Sequence, residues 1–298
     1  EPLLRESELV SNGDLTPLVL YRNNLYLHRY FQYEQRLAHQ ILSRSCEVRH
    51  LSIEDILLDG QFSSKIDTEA DDQRKAARRA LSHSLTIISG GPGTGKTTTV
   101  VKILALLLEL EGDALSIGLA APTGKAAKRL SESIGASLEQ MQLRETVRSR
   151  LRIQAQTIHR LLGVRRHSPR FRHNRSNPAP YDVVVVDESS MIDLALMSKL
   201  VDGLRPEARL ILLGDRDQLA SVESGSVLAD LIGSLPQNTV ELRRTFRFDA
   251  DIKALATAIN SGKSDDGWRF LNDPDKPNIC VTQQLSIEEL GKRYLRFM

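Results

Sequence analysis

Short apolar runs alternate with longer stretches of helical periodicity along residues 85–213. The runs have the length and aliphatic content of buried strands, and they lie at residues 85–89, 116–121, 182–186 and 209–213. Between them, residues 97–110 and 125–134 repeat apolar positions at the spacing of one helical face. This alternation predicts an α/β fold, in which a parallel sheet is covered by helices on both faces.

The pattern before residue 69 is different and more mixed. Two short apolar runs, at 18–21 and 25–27, flank Asn23 and Asn24 and predict a β-hairpin, and a helix is expected to follow at 30–42. Three further segments are predicted: a short helix at 53–61, a polar linker at 63–72, and a helix rich in Ala and Arg at 73–82. We expect residues 1–68 to form a small accessory domain.

Composition excludes several classes of protein. The 298 residues are 41% hydrophobic and 26% charged, which is ordinary globular composition and excludes disordered, collagen-like and low-complexity chains. Cys46 and Cys280 are too few and too far apart for a disulfide framework or a metal site, which favours a reducing, cytoplasmic compartment. No apolar run approaches the ~20 residues of a membrane span, and the first residues lack a signal-peptide pattern, so no membrane partner is expected.

A glycine-rich motif follows the first of the predicted buried strands. Residues 90–97, GGPGTGKT, fit the phosphate-loop pattern G-x-x-x-x-G-K-[ST], with an apolar strand before it and an amphipathic helix after it. The glycines let backbone N–H groups face a phosphate chain, and the helix N-terminus adds partial positive charge. Lys96 can reach the β- and γ-phosphates, and the Thr97 hydroxyl can hold Mg²⁺. The alternative, an incidental glycine-rich turn, does not explain the strand–loop–helix setting.

Two later strands end in polar residues that suit phosphate chemistry. Four valines deliver Asp187 and Glu188 at the carboxyl end of a strand, where open α/β sheets bind ligands. Asp187 can hold Mg²⁺ through water, and Glu188 can orient and activate the attacking water. Gln218 follows the next strand and can sense the γ-phosphate through its amide. The alternatives are a solvated strand end for the acidic pair and a capped loop around Gln218.

Residues 141–180 are strongly basic. They contain ten Arg and one acid, Glu145, so their local charge is +9, whereas the whole chain, with 40 basic and 38 acidic residues, is only +2. Neutralising phosphates would give strong, salt-sensitive binding to nucleic acid. Phe171, His167 and His173 could stack on bases. The alternative is a solvated basic loop.

Five segments together resemble the superfamily 1 DNA helicases, and most of all the RecD-like family, the alpha subunits of bacterial exodeoxyribonuclease V. They lie in the family order over roughly residues 15–265, and they are ISGGPGTGKTTTV (88–100), AAPTGKAA (120–127), TIHRLLG (157–163), VDESSMID (186–193) and GDRDQLASV (214–222).

The resemblance implies a role for each matching residue. The expected nucleotide-binding residues are Gln73, which would read adenine, and Gly91, Pro92, Gly93, Thr94, Gly95, Lys96, Thr97 and Thr98. The expected catalytic residues are Lys96, Asp187, Glu188, Gln218 and Arg247, and the expected Mg²⁺ ligands are Thr97 and Asp187. Arg247 resembles the arginine that the family's second motor domain directs at the γ-phosphate, and an always-charged guanidinium suits a transition state that spreads charge over phosphate oxygens. Alternatives stay open for Gln73, as a solvated helix residue, and for Arg247, as a surface ion-pair residue.

Contacts to DNA are implied in the same way. Pro122, Thr123 and Lys125 resemble a first single-strand contact, and Thr157 and His159 a second, although a lone His is more often structural. In the family, a small hairpin that splits duplex DNA lies between the second DNA motif and the Asp-Glu strand. Arg170 and Arg172 fall in that interval. A DNA-contacting hairpin at residues 164–180 is therefore expected.

The resemblance also implies an architecture and an activity. It predicts a RecA-like, P-loop motor domain at 69–235, with the basic hairpin at 164–180 inserted, and the start of a second motor domain at 236–298. ATP and Mg²⁺ are the expected cofactors. The expected partners are single-stranded and duplex-end DNA and RecB- and RecC-like subunits, in a bacterial cytoplasm. The activity would be 5′→3′ helicase or translocase action in double-strand-break repair. Two alternatives are a nucleotide-dependent DNA-binding switch that does not unwind and a non-catalytic scaffold.

The ends of the chain suggest that it is part of a longer protein. It begins at Glu1 rather than at Met, and residues 286–298 have the pattern of an unfinished helix. RecD-like helicases need a complete second motor domain, and the chain ends before its later motifs. The interval between Val222 and Arg247 is short for the family, and the accessory region also looks truncated. We therefore expect one complete RecA-like domain and only part of a second.

Overall fold

The computed structural model describes residues 7, 9–11, 16–46, 68–112, 114–168, 170–216, 218, 227–243 and 250–273. The chain divides into two compact units, Glu1–Arg244 and Thr245–Met298. The strands are β1 Val10–Ser11, β2 Leu18–Tyr21, β3 Asn24–Leu27, β4 Leu85–Ser89, β5 Ile117–Ala121, β6 Gln156–Thr157, β7 Val183–Val186, β8 Arg209–Gly214 and β9 Thr239–Glu241. The helices are α1 His28–Cys46, α2 Thr68–Ser82, α3 Lys96–Glu111, α4 Gly124–Gln140, α5 Glu145–Leu151, α6 Ile158–Leu162, α7 Leu194–Asp202, α8 Val227–Ser234, α9 Ala250–Asn260 and α10 Ser264–Leu271.

A six-stranded sheet forms the centre of the first unit. Its order is β6-β5-β7-β8-β4-β9, and every neighbouring pair is parallel. Helices α2 to α5 contribute to the apolar layer on one face, and α1, α6, α7 and α8 to the layer on the other. The predicted P-loop, RecA-like α/β fold is confirmed. The four predicted strands lie at or within one residue of the observed bounds, because fully buried strands require the uninterrupted apolar runs that the sequence shows.

The accessory region contributes to the same core. Strand β2 pairs with β3 in the predicted hairpin, but the turn lies one residue earlier than expected, at Arg22 and Asn23, whose φ angles are 46° and 67°. Helix α1 is longer than predicted and buries Leu37 and Ile41 in the layer that includes α7. The buried Arg44 guanidinium donates hydrogen bonds to three backbone carbonyls before β8, those of Arg205, Pro206 and Ala208.

Several helix predictions differ from the structure. Residues 68–72, predicted as linker, belong to α2, in which Asp71 pairs with Lys75 one helical turn later at 2.5 Å. Helix α4 continues six residues past its predicted end at 134. The predicted helices at 53–61 and 286–298 lie outside the described residues. None of the helices in the described ranges combines the length and apolar character needed to cross a bilayer. The division at 68/69 and 235/236 stays a prediction.

Candidate functional site

Three loops meet at the carboxyl edge of the sheet. The loop after β4 carries the glycine-rich motif, the turn after β7 carries Asp187 and Glu188, and the loop after β8 leads to Gln218. β8 lies between β4 and β7, so the three loops are spatial neighbours. Gly90 N donates to Gly214 O at 3.1 Å, which joins the first loop to the end of β8. The parallel sheet therefore assembles residues that are more than a hundred positions apart in sequence.

The glycine-rich loop has the backbone curvature that its sequence predicts. Gly93 and Gly95 have φ angles of 78° and 81°, in the left-handed region that favours glycine, and Gly95 is the N-cap of α3. Thr94 Oγ1 donates to Gly91 O at 2.9 Å and braces the loop from within. A Cβ atom on Gly90 would lie 2.6 Å from Thr94 Oγ1. The loop is therefore tight, and it ends at the N-terminus of a sixteen-residue helix, where an anion is stabilised.

The Lys96 side chain folds back over this loop. Its Nζ donates to Gly90 O at 2.5 Å and to Gly91 O at 3.0 Å. Burial lowers the pKa of the ammonium group, whereas the negative charges of Asp215, Asp187 and Glu188 oppose that change. A positive group held among backbone carbonyls and three carboxylates is in place to bind phosphate oxygens.

The acidic pair lies in a strained turn. Glu188 N donates to Asp187 Oδ1 at 2.9 Å, and Glu188 has a φ of 51°, which is unusual for a residue other than glycine and is often found at functional sites. Burial raises the pKa of Asp187; the hydrogen bond from Glu188 N opposes the rise, the Glu188 charge adds to it and the Lys96 charge opposes it.

The oxygen atoms here suit a hard cation. Thr97 would supply a hydroxyl and Asp187 a carboxylate; burial disfavours the charged form of that carboxylate, and a bound cation would offset this cost. In the described part of the chain, no group of three or more His, Cys, Asp or Glu residues could hold a metal. That is compatible with Mg²⁺, which proteins commonly hold through one or two side chains together with substrate phosphates and water.

Replacing Asp187 with Asn is expected to raise the melting temperature of the nucleotide-free protein. Asn removes the buried charge but keeps an oxygen that accepts the hydrogen bond from Glu188 N. The pKa of Asp187 is higher in the folded protein than in the unfolded chain. Its charge therefore does not lower the free energy of unfolding at a pH below the unfolded pKa, and lowers it most at a pH above the folded pKa. The advantage of Asp187→Asn should therefore grow from acidic to neutral pH. Calorimetry in EDTA measures it, with the exposed Asp230→Asn as control; an advantage that shrinks with rising pH would contradict it.

Gln218 is joined to the acidic turn rather than isolated in a loop. Its Oε1 accepts a hydrogen bond of 3.0 Å from Ser190 Oγ, and Ser190 lies in a 3-10 turn, Ser189–Met191, directly after Glu188. Sequence reasoning did not single out Ser190 or the buried Asp215. Both lie in the quoted motifs, but their roles depend on contacts between separate strands.

Two predicted nucleotide-binding residues have partners inside the protein. Gln73 is buried on α2, and its Oε1 accepts from Lys102 Nζ at 3.3 Å, so the alternative of a solvated helix residue is wrong. Thr98 Oγ1 lies 3.5 Å from Ser137 Oγ on α4. Contact of Gln73 and Thr98 with a nucleotide stays a prediction. Arg247 lies outside the described residues.

The residues predicted to contact DNA lie beside this site. Thr123 follows β5 and Thr157 ends β6, the strand next to it, with Ala121 paired to Thr157. Each threonine hydroxyl caps a helix at 3.2 Å, accepting from Ala126 N in α4 and from Arg160 N in α6. Pro122 is half-buried between β5 and Thr123, while the Lys125 and His159 side chains are exposed.

The described residues of the basic loop, 164–168 and 170–180, contain two isolated antiparallel bridges, Val164 with Phe171 and Asn174 with Asn177. Arg170 and Arg172 are exposed. Phe171 is half-buried against the core, with its ring 5.5 Å from that of His159. Stacking of Phe171 on bases stays a prediction; its ring also packs against the core of the first unit.

Several known proteins are similar to this chain in sequence. A family model described as an AAA domain matches residues 73–224, just over half of the chain. The RecBCD enzyme subunit RecD of Mycolicibacterium smegmatis is 47% identical over 260 residues, covering 85% of this chain and 46% of that protein. The RecBCD enzyme subunit RecD of Haemophilus influenzae is 44% identical over 299 residues, covering 87% and 47%. The ATP-dependent RecD2 DNA helicase of Deinococcus radiodurans is 41% identical over 179 residues, covering 60% and 22%.

These relatives confirm the resemblance to the RecD-like family that the motifs indicate. The chain spans less than half the length of each of them.

Proposed function

We propose that this chain, which belongs to the AAA domain family, binds and hydrolyses ATP within a DNA helicase. The family model matches residues 73–224. The observation that carries the proposal is the convergence of Lys96, Asp187, Glu188 and Gln218 on one sheet edge. Hydrogen bonds from Gly90 to Gly214 and from Ser190 to Gln218 join their loops.

Each residue then has a distinct task. The N–H groups at the start of α3 and the Lys96 ammonium bind the phosphate chain, and Lys96 neutralises charge that develops during phosphoryl transfer. Thr97 and Asp187 would hold Mg²⁺, which supplies further charge neutralisation at the phosphates. Glu188 orients the attacking water and accepts its proton, and Gln218 donates its amide N–H groups toward the γ-phosphate.

The DNA site would be coupled to this chemistry through shared elements. Thr123 and Thr157 lie at the ends of strands in the same sheet as the phosphate loop, and α4, which Thr123 caps, packs against α3 through Thr98 and Ser137. A shift of α3 on nucleotide binding would therefore reach the first turn of α4. Arg170 and Arg172 add exposed positive charge on the neighbouring loop.

The relatives extend the proposal to the whole protein. Two are RecBCD enzyme subunits and one is an ATP-dependent DNA helicase. We therefore propose that the protein assembles with RecB- and RecC-like subunits in the bacterial cytoplasm. There it would move 5′→3′ on single-stranded DNA during repair of double-strand breaks. The competing possibility is an ATPase that switches DNA affinity without unwinding.

Unwinding of a duplex with a 5′ single-stranded tail separates these two functions. The full-length protein with ATP and Mg²⁺ should separate the strands of the 5′-tailed duplex but not those of a matched 3′-tailed duplex. Lys96→Ala should separate neither. ATP hydrolysis without strand separation, alone and with RecB- and RecC-like subunits, would favour the switch.

The basic loop should set part of the salt dependence of DNA binding. Replacing Arg170 and Arg172 together with Ala removes two potential phosphate contacts, each worth ~0.7 in the slope of log K against log salt for single strands. The double variant should bind more weakly at low salt, with a slope shallower by about 1.4. Fluorescence anisotropy over a salt series measures this, with Arg269→Ala as control. An unchanged slope would make the segment an ordinary solvated loop.

A further inference from the structure

We propose that Ser190 is a positioning residue for ATP hydrolysis, which orients the Gln218 amide toward the γ-phosphate. The inference rests on the proposed function, because it assigns how one residue of that site acts on another. Ser190 Oγ donates to Gln218 Oε1 at 3.0 Å, across a separation of 28 residues in sequence. The bond links the turn that carries the acidic pair to the loop after β8.

The Ser190 hydroxyl is held in place by the turn around it. Glu188, with its left-handed backbone, begins the 3-10 turn, and Met191 N donates to Glu188 O at 3.0 Å. The neighbouring Ser189 is fully buried, and its Oγ donates to Val186 O at 2.9 Å, which ties the turn to the end of β7. Ser190 itself is 8% exposed. The position of its hydroxyl is therefore restricted by the turn that follows Glu188.

The end of β8 lies directly against this turn. A Cβ atom on Gly214 would lie 3.4 Å from Ser190 N and 2.2 Å from Leu228 Cδ2, so a larger residue would displace its neighbours. Only three residues separate Gly214 from Gln218. This close approach brings the loop that carries Gln218 within reach of Ser190.

The chemistry of the amide explains why the contact matters. A glutamine side chain presents an acceptor oxygen on one side and two N–H donors on the other. When Ser190 satisfies the oxygen, the amide nitrogen is left to face an incoming phosphate, which only accepts hydrogen bonds. Without Ser190, the amide can rotate and present its oxygen to the phosphate, which is repulsive. Ser190 thus favours the orientation of the Gln218 amide in which its N–H groups face the γ-phosphate.

The test is a kinetic comparison in the full-length protein with saturating single-stranded DNA. Ser190→Ala should lower kcat for ATP roughly three- to tenfold, the effect of losing one ordinary hydrogen bond, and leave KM within about twofold. Ser190→Thr, which keeps the hydroxyl, should restore most of kcat. Combined with Gln218→Ala, the Ser190→Ala change should cause no further loss, because its effect passes through that amide.

The adjacent Ser189 provides the matched control. Ser189→Ala removes a hydroxyl from the same turn, but this hydroxyl bonds to the end of β7. The variant should therefore have a lower melting temperature and a kcat close to that of the wild type. Equal losses of kcat in Ser189→Ala and Ser190→Ala, or additive losses in the double variant with Gln218→Ala, would overturn the proposal. If the wild-type protein had no ATPase activity, the proposed function itself would be contradicted. If Gln218→Ala left kcat unchanged, the proposed role of Gln218 in hydrolysis would be contradicted.

Discussion

Lys96→Ala is expected to lower ATP hydrolysis by about 100- to 1,000-fold, the usual loss when one preorganised charge at a transition state is removed. The ammonium group is held at the start of α3 by the Gly90 and Gly91 carbonyls, so it is in position before the nucleotide arrives. The expected effect is on both ATP binding and kcat, because the phosphates carry negative charge in the ground state and in the transition state. Titration with a fluorescent ATP analogue, together with steady-state hydrolysis, measures the two parts.

The fold should survive this change. Burial disfavours the charged form of Lys96, so a neutral side chain removes a desolvation cost together with two hydrogen bonds. The melting temperature of the nucleotide-free variant should therefore stay close to that of the wild type. Lys263→Ala is the matched control, since Lys263 also follows a glycine and precedes a hydroxyl residue, but caps α10 without a strand before it. Hydrolysis by Lys96→Ala at more than a tenth of the wild-type rate would contradict the assignment.

Glu188→Gln is expected to abolish hydrolysis while ATP still binds. A general base contributes about 100- to 10,000-fold, and glutamine keeps the shape of the side chain but cannot accept the proton of the attacking water. Nucleotide affinity should stay within a few-fold of the wild type, or increase, because one negative charge near the phosphates is lost. Single-turnover hydrolysis and equilibrium binding separate these effects.

A surface glutamate controls for the loss of charge alone. Glu139→Gln, on an exposed position of α4, makes the same chemical change away from the sheet edge and should leave kcat unchanged. If Glu188→Gln weakened ATP binding as strongly as it lowered kcat, Glu188 would be a binding residue rather than the base. If it had no effect, another group would activate the water.

The strands and the phosphate loop could be predicted from sequence because their causes are local. An uninterrupted apolar run is needed for a strand buried on both faces, and left-handed glycines are needed for the turn that follows β4. The burial of α1 could not be predicted in this way. Its apolar positions Leu37 and Ile41 have partners on α7, more than 150 residues later, and contacts over that separation leave no local pattern in the sequence.

In the candidate site, too, only the residues whose roles follow from a local motif could be predicted from the sequence. Lys96, Asp187 and Glu188 belong to motifs whose residue types already suggest their chemistry. Ser190 lies in the same motif as the acidic pair, yet the role proposed for it depends on a hydrogen bond to another loop. Phe171 is a second case: an aromatic ring among arginines is typical of a base-stacking surface, and only the structure shows that the ring also packs against the core. Long-range packing determines both outcomes.

The most direct test of a DNA-coupled motor is steady-state ATP hydrolysis by the full-length protein, with and without single-stranded DNA, and with Glu188→Gln as the blank. The convergence of the phosphate loop, the acidic turn and the residues proposed to contact DNA on one sheet predicts hydrolysis that DNA stimulates and that the variant loses. Hydrolysis that is no greater than that of Glu188→Gln, or that is unchanged by DNA at any concentration, would contradict a DNA-coupled motor.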